Sequence, residues 1–532
     1  MEAIVSAVLG DLMSRSISFA VDWYCHRRHE GTVQENLQRL RRVLLRIQIT
    51  VEEAERRRVT NQAMLRQLHL MREGMYRGYY LLTTVMRQEH PRGPEVSRHK
   101  HSSLALSEFN PAKRICILPA RTTTAATTVT ASYAGREAEA ELQEALIGLE
   151  RMASDMKELV LFLSCYPPLL REPYSRHLWL ENRMFGRDAE YESIIRFLLE
   201  PEPAGAQDLA VLPVIGPARL GKSTLVEHVW RDERVRQHFS LIVFFEESDI
   251  VGENLHLTPL GDSGVIKYRN DLASTTGSSL VVAELVGGVD ESAWRRALST
   301  LKSEGTAPVS KIVVTSRSEM VASFGTMKAL ELKPLSREAF WYFFKTMAFG
   351  STPDAEEQLG LASVCMEIAD LMDRSFVGAN IIGGLLRNNL CAWFWHTVLK
   401  RIKDFRRMHL DFFGELPAHR LAKGQPIYIW TLSKTDSVLI AYSCYQASSG
   451  QQPDLPKITL QDVHTGSTTP RGKFEALAWR SYIPPYSSYV FRCGVQTPSS
   501  CLRLSPRNKQ IRQRQALAER EDKSRGANFR LY

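Results

Sequence analysis

The chain has 532 residues, of which 44% are hydrophobic and 24% charged, and this ordinary globular composition excludes a disordered or collagen-like protein. Its length predicts about three to four domains. The net charge is +9, and part of this excess lies after Cys501, where there are nine Lys or Arg residues and three Asp or Glu residues. The remaining positive charge is spread too thinly along the chain to predict nucleic-acid binding. Residues 501–532 are predicted to be a basic, solvated tail.

The cysteines and apolar segments indicate where the protein works. Eight cysteines are scattered without a C-x-x-C pair, which argues against a zinc site and a disulfide framework and suits a reducing compartment. Asp11 and Arg15 interrupt the first apolar stretch, so no signal peptide is predicted. The apolar window 376–399 contains Arg387 and three asparagines, and no transmembrane segment is predicted. We therefore expect a soluble, cytoplasmic protein.

Helical periodicity dominates the first part of the chain. Hydrophobic residues recur at alternating steps of four and three through 33–54, and similar patterns cover 64–86 and 142–163. Between them, 91–134 combines prolines, a basic patch and a Thr/Ala run, which predicts a mobile loop. Residues 1–165 are therefore predicted to be a helical bundle, whose exposed faces can also dock other helices.

An α/β pattern follows. Short apolar runs bounded by polar segments predict buried parallel strands, with helices on both faces of the sheet, across residues 178–350. The remaining chain is predicted to form a partial helical subdomain at 351–416 and a small β-rich or irregular module at 417–500. The predicted strands of the two regions are Leu209–Ile215, Leu241–Phe245, Leu280–Ala283 and Ile312–Thr315, and then Ile427–Leu432, Val438–Tyr442, Ile458–Leu460 and Tyr489–Cys493.

A phosphate loop is predicted from Gly216 to Ser223, which fits G-x-x-x-x-G-K-[ST] between an apolar strand and a helix. Glycines let backbone N–H groups wrap phosphates, and the helix N-terminus offers them a partial positive charge. Lys222 is expected to reach the β- and γ-phosphates, and the Ser223 hydroxyl to ligate Mg²⁺. The alternative is a plain strand-to-helix turn with an exposed lysine.

Two further residues at strand ends fit a nucleotide site. Glu284 ends the run Leu280–Glu284 and is the candidate carboxylate for Mg²⁺ and for any catalysis. Arg317 ends the next strand and is placed to read a γ-phosphate. Each of them is alternatively an ordinary strand-end charge. Leu285 stands where many hydrolytic proteins of this class place a second acid.

The ordered series of motifs resembles the NB-ARC nucleotide-binding domain of plant intracellular immune receptors, the NLR class, and the first helices resemble the Rx-type coiled-coil domain of that family. In the family a Gly-Arg motif lies against the adenine, and Gly186 and Arg187 stand in its place. Gly383–Leu386 replaces a Gly-Leu-Pro-Leu motif. The segment 425–496 resembles C-terminal blocks of grass-type relatives, while no leucine-rich repeat period is present.

The resemblance implies an α/β P-loop NTPase fold that binds ADP or ATP with Mg²⁺, with Ser223 and Glu284 as the metal ligands. It implies a molecular switch in the defence response, with an adenine nucleotide as ligand and with itself or other NLR-type proteins as partners of the helical bundle. The nucleotide contacts it implies are Gly186, Arg187, Gly216, Gly221, Lys222, Ser223, Thr224 and Arg317.

Two other functions stay open at this stage. A working ATPase needs a second polar group to position water, and Leu285 predicts at most slow turnover. A nucleotide-free scaffold, or a partner of an NLR protein, would use the helical bundle alone. Measured binding of labelled ADP separates that scaffold from the two nucleotide-binding functions.

Overall fold

The computed structural model divides into two compact units, residues 1–50 with 77–160 and residues 51–76 with 161–532. The predictions for 1–32, for most of the loop 91–134 and for the tail 501–532 lie outside the residues that it describes. Those described are 33–89, 130–167, 184–201, 209–218, 220–251, 265–269, 278–286, 289–303, 309–350, 359–432, 438–447, 455–483 and 486–496.

Three long helices occupy the predicted helical region, namely α1 (Val33–Glu55), α2 (Gln62–Glu89) and α3 (Thr130–Leu163). Their apolar stripes are buried: Leu40, Leu44 and Leu142 are each fully covered. Helix α3 begins inside the predicted loop 91–134, so the prediction is wrong for its last residues. The Glu/Ala-rich sequence that follows favours helix strongly enough to extend α3 toward its N-terminus.

A six-stranded sheet forms the centre of the α/β region, and its strands lie in the order β3-β2-β4-β5-β1-β6. All neighbours are parallel except β3, which is antiparallel to β2, so the sheet is mixed where a parallel sheet was predicted. Strand β3 was missed because an edge strand with polar side chains lacks a continuous apolar run. The strands are β1 (Ala210–Ile215), β2 (Phe239–Glu246), β3 (Val265–Arg269), β4 (Ser278–Leu285), β5 (Val309–Ser316) and β6 (Leu330–Glu331).

Helices cover both faces of this sheet because alternate strand residues point to opposite sides. One core cluster joins Val214 to Leu225 and Ile194, and the other joins Val314 to Trp294 and Val321. The helices of the first face are α4 (Asp188–Leu199), α5 (Lys222–Trp230) and α6 (Glu233–His238). Those of the second are α7 (Glu247–Val251), α8 (Glu291–Ser303) and the 3₁₀ helix Glu319–Phe324.

Further helices follow the sheet, and they divide the apolar window 376–399 between two elements. Among the helices that the structure describes, none combines the length and the apolar character that crossing a membrane requires. These helices are α9 (Arg337–Phe349), α10 (Leu359–Asp370), α11 (Phe376–Arg387), α12 (Ala392–Phe413) and α13 (Pro417–Ala422).

The C-terminal region is a four-stranded antiparallel sheet in the order β7-β8-β10-β9. The strand predicted at Ile458–Leu460 is wrong, because Thr459 and Asp462 form a capping box that starts a short helix there. Strand β9 (Lys473–Arg480) was not among the predicted strands. The elements are β7 (Ile427–Ile429), β8 (Val438–Ala447), α14 (Leu460–Thr465), β9 (Lys473–Arg480) and β10 (Ser488–Gln496).

Candidate functional site

The loop between β1 and α5 depends on two glycines. Gly221 has φ +84° immediately ahead of α5, a left-handed conformation that side chains disfavour. Gly216 has φ +150°, and a Cβ atom on it would lie 2.5 Å from the carbonyl oxygen of Leu332. The chain can therefore turn sharply from the sheet into the N-terminus of α5, where backbone N–H groups are without intrahelical partners.

Lys222 lies in the first turn of α5 and is folded back onto the loop. Its Nζ donates hydrogen bonds to the carbonyl oxygens of Gly216, at 2.7 Å, and Pro217, at 2.8 Å. Burial and the nearby charge of Arg317 lower its pKa to about 8, while Glu284 acts in the opposite direction. A buried ammonium with a second cation beside it would be stabilised by an anion.

Ser223 and Glu284 form the other polar pair. The Ser223 hydroxyl donates to Glu284 Oε1 at 2.8 Å, and Glu284 is the penultimate residue of β4. Strands β1, β4 and β5 end in register, since Ser316 pairs with both Ile215 and Leu285. Their carboxyl ends therefore bring the loop, Glu284 and Arg317 to one edge of the sheet.

A cleft of about 340 Å³ opens at this edge. Gly186 and Gly216 are absent from its lining. Gly186 occupies the turn ahead of α4, with φ +70°, and Gly216 reaches the cleft only indirectly, through the carbonyl that it offers to Lys222. The predicted residues that line it are Arg187, Gly221, Lys222, Ser223, Thr224, Glu284 and Arg317.

Arg187 is almost wholly buried, with 5% of its side chain exposed. Its two terminal nitrogens donate to Glu190 Oε1 at 3.0 Å and to the carbonyl of Lys333 at 2.6 Å. Its Nε is buried and has no hydrogen-bond acceptor within the described part of the chain. This Nε donor is therefore covered by the surrounding protein, although Arg187 lines the cleft.

Part of the cleft lining was not predicted. Helices α9 and α11 contribute Phe343, Phe376 and Asn380, while the C-terminal sheet contributes Trp479 and Tyr489. These residues have no local signal, because an aromatic residue in a helix stripe or an alternating strand is ordinarily a core residue. Only the packing of distant segments brings them to the site.

Curated proteins similar to this chain are plant disease resistance proteins. Disease resistance protein RGA2 of Solanum bulbocastanum is 28% identical over 258 residues, which cover 46% of this chain and 26% of the relative. RGA4 of the same species, also named for disease resistance, is 30% identical over 46% of this chain and 25% of its own length. A disease resistance RPP13-like protein 1 of Arabidopsis thaliana is 29% identical over 50% of this chain and 26% of its own length.

The matched region spans about a quarter of the length of these relatives. No protein-family model matches the chain. The crystal structure of Saccharomyces cerevisiae RIF2 aligns with 41% of the chain at 13% identity and a TM-score of 0.22, which is too low to support an argument about the fold. The sequence comparisons confirm the resemblance that the motifs predicted: over about half of its length, this chain is similar to plant disease resistance proteins.

Proposed function

We propose that the cleft binds ADP or ATP with Mg²⁺, on a P-loop NTPase fold, and that the chain works as a nucleotide-dependent switch. The observation that carries the proposal is the convergence of Lys222, Arg317 and the N-terminus of α5 on one cleft. Two neighbouring cations and free backbone donors at a helix N-terminus suit the phosphates of a nucleotide.

The donor set also suits the metal. Mg²⁺ is held by a few oxygen ligands together with substrate phosphates. The Ser223 hydroxyl and the Glu284 carboxylate are already in contact and offer two such oxygens. When bound, Mg²⁺ would neutralise phosphate charge, and Ser223 and Glu284 would orient it relative to Lys222.

Another part of the lining is apolar and aromatic. The rings of Phe185 and Phe343 are tilted by 40° with centroids 5.2 Å apart, and those of Phe343 and Phe376 meet edge to face at 5.3 Å. An aromatic surface is suited to a nucleobase. Arg187 lines the cleft within the motif that resembles the adenine contact of the NLR family, and this position supports an adenine nucleotide as the ligand.

A switch is favoured over an ATPase by the apolar residues that follow Glu284. Among the described residues of the cleft, Glu284 is the one carboxylate, and Leu285 and Val286 follow it. Water activation needs a further acid or polar group directly beside the metal-binding carboxylate, and loss of one such group costs on the order of a hundred- to a thousand-fold in rate. Slow turnover would let the bound nucleotide report the state of the protein.

The proposed setting is the defence response, and it rests on the names of the curated relatives. A second copy of this chain, or another NLR-type protein, is the partner proposed for the helices α1 to α3. Both the setting and the partner are proposals that go beyond the region matched to the relatives.

The test is nucleotide binding by the purified chain. We expect heat to release ADP or ATP from it, and Lys222→Ala to weaken ADP binding by roughly ten- to a hundred-fold, because a charge-assisted contact is lost. Lys403→Ala is the matched control, since Lys403 pairs with Glu367 outside the cleft. Unchanged ADP affinity in a folded Lys222→Ala variant would refute the proposal.

Single-turnover hydrolysis separates the switch from the enzyme. We expect bound ATP to persist far longer than the second or so of an ordinary enzymatic turnover. Hydrolysis at about 1 per second that Lys222→Ala abolishes would identify an ATPase instead. A chain that binds no nucleotide at all would favour the scaffold.

A further inference from the structure

The small antiparallel sheet at the C-terminus forms one wall of the nucleotide cleft. Cys444 on β8, Trp479 on β9 and Tyr489 on β10 all line the cleft that contains Lys222. Ser481, which directly follows β9, lines it as well. Three strands of this sheet therefore face the site, and their contribution is not limited to one loop.

Trp479 and Tyr489 form an aromatic pair on this wall. They are register partners on neighbouring strands, and their rings stack with centroids 5.7 Å apart and planes 18° apart. Both side chains are half-buried, so part of each ring is available to the cleft. Stacking surfaces of this kind hold nucleobases, since every base has a π face.

The wall is attached to the helix that forms the adjoining side of the cleft. Helix α11 supplies Phe376 and Asn380 to the lining from its first two turns. Farther along α11, Gln461 of α14 donates to the carbonyl of Ile381 at 3.0 Å. Gly384 makes room for this contact, because a Cβ atom there would lie 2.7 Å from Gln461 Nε2. The position of the C-terminal sheet and the shape of the cleft are therefore linked through α11.

We propose that the sheet β7–β10 is a ligand-contacting wall of the cleft, in which Trp479 and Tyr489 hold the nucleoside part of the bound nucleotide and slow its release. This inference rests on the proposed function and adds to it the element that controls exchange. A ligand held between the wall and the loop around Lys222 binds the closed arrangement more tightly than an open one. Bound nucleotide therefore stabilises the closed wall, and release requires the wall to move.

Cys444 provides a direct test in the unmodified chain. It is partly exposed on the wall, whereas Cys391 is exposed at the start of α12 and does not line the cleft. We expect Mg²⁺ and saturating ADP to slow the alkylation of Cys444 by a maleimide about tenfold or more, and to leave Cys391 unchanged. Mass spectrometry of the labelled peptides measures both thiols in one sample.

Release kinetics provide the second test. Trp479→Ala is expected to speed the release of fluorescently labelled ADP by roughly five- to a hundred-fold, the range that loss of one base-stacking aromatic produces. Trp479→Phe retains a ring and should release it at a rate nearer to that of the original chain. Trp393→Ala is the matched control, because Trp393 is 72% exposed on α12 and does not line the cleft.

The outcomes separate this inference from the proposed function. Suppose that the chain binds ADP, but that ADP does not protect Cys444 from alkylation and that Trp479→Ala releases ADP at the original rate. The proposal that the sheet contacts the ligand is then wrong, and the proposed nucleotide site stands. If the chain binds no adenine nucleotide, both are wrong. Protection of Cys444 together with faster release from Trp479→Ala supports both.

Discussion

The Ser223 hydroxyl donates a 2.8 Å hydrogen bond to Glu284 Oε1, which joins the first turn of α5 to the end of β4. The contact holds side by side the two oxygens that we propose as Mg²⁺ ligands. Because these two residues belong to different elements, a single substitution can remove one oxygen and leave the loop around Lys222 in place.

Glu284→Gln is expected to remove most of the gain in ADP affinity that Mg²⁺ produces. The amide lacks the negative charge that a hard divalent cation prefers, while its size is unchanged. Titration of labelled ADP with and without Mg²⁺ measures the effect, and we expect a loss of about tenfold or more in the Mg²⁺-dependent gain. Glu246→Gln is the control, since Glu246 is the register partner of Glu284 at the end of β2 but does not line the cleft. An equal Mg²⁺ effect in both variants would argue against Glu284 as a ligand.

ADP affinity is expected to fall as the pH rises above 8. Burial and the charge of Arg317 lower the pKa of Lys222 to about 8, and bound phosphate would raise it again. The charged lysine thus contributes fully to ADP affinity below pH 8. Above that pH the affinity decreases, by at most tenfold per pH unit. Calorimetry at pH 8 in buffers of different ionisation enthalpy should show proton uptake on binding. Affinity that stays constant between pH 7 and 9 would contradict this.

Gly216→Ala is expected to lower stability by about 1–3 kcal/mol, because φ +150° strains any side chain and the new Cβ would approach Leu332 O to 2.5 Å. Gly360→Ala is the control: its Cβ meets nothing within 4 Å, and alanine favours the helix α10. In denaturant unfolding, we expect the free energy of unfolding to fall for Gly216→Ala and to rise or stay unchanged for Gly360→Ala. Equal stability of both variants would show that the loop tolerates a side chain at Gly216.

The C-terminal region is expected to lose stability in mild acid through two buried histidines. His409 accepts a hydrogen bond from the Tyr428 amide at 3.1 Å, and His464 lies 2.7 Å from the Trp430 carbonyl. Burial lowers the pKa of each to about 4. Below about pH 6.5 the unfolded chain therefore binds more protons than the folded chain. The contribution of the two histidines to the free energy of unfolding is complete above that pH and declines toward pH 4.

Thermal unfolding between pH 7 and 5 measures this effect, and each histidine can contribute up to about 1.4 kcal/mol per pH unit in that window. His409→Gln should flatten the dependence, although it also lowers stability at pH 7. His396→Gln is the control, since His396 is exposed on α12. A pH dependence that survives in the variant His409→Gln, His464→Gln would place its origin elsewhere.

Local sequence was sufficient to predict the elements whose conformation depends on neighbouring residues in one short segment. The strand before Gly216, the glycine ahead of Lys222 and the helix after it all follow from neighbouring residues, because apolar runs, left-handed glycines and helix starts are local properties. The helices over 33–54, 64–86 and 142–163 were predicted for the same reason, from the spacing of their apolar residues. The motifs by themselves also indicate the similarity to plant disease resistance proteins.

Tertiary structure alone decided what surrounds Lys222. Nothing near Trp479, Tyr489 or Cys444 in the chain indicates that they face this cleft, since that depends on strand order and on the close approach of Gln461 to Gly384. The strand wrongly predicted at Ile458–Leu460 is instead a local error, because Thr459 and Asp462, only three residues apart, form a capping box that starts a helix there. Patterns along the chain determine which elements form, whereas the meeting of distant side chains depends on packing between elements far apart in sequence.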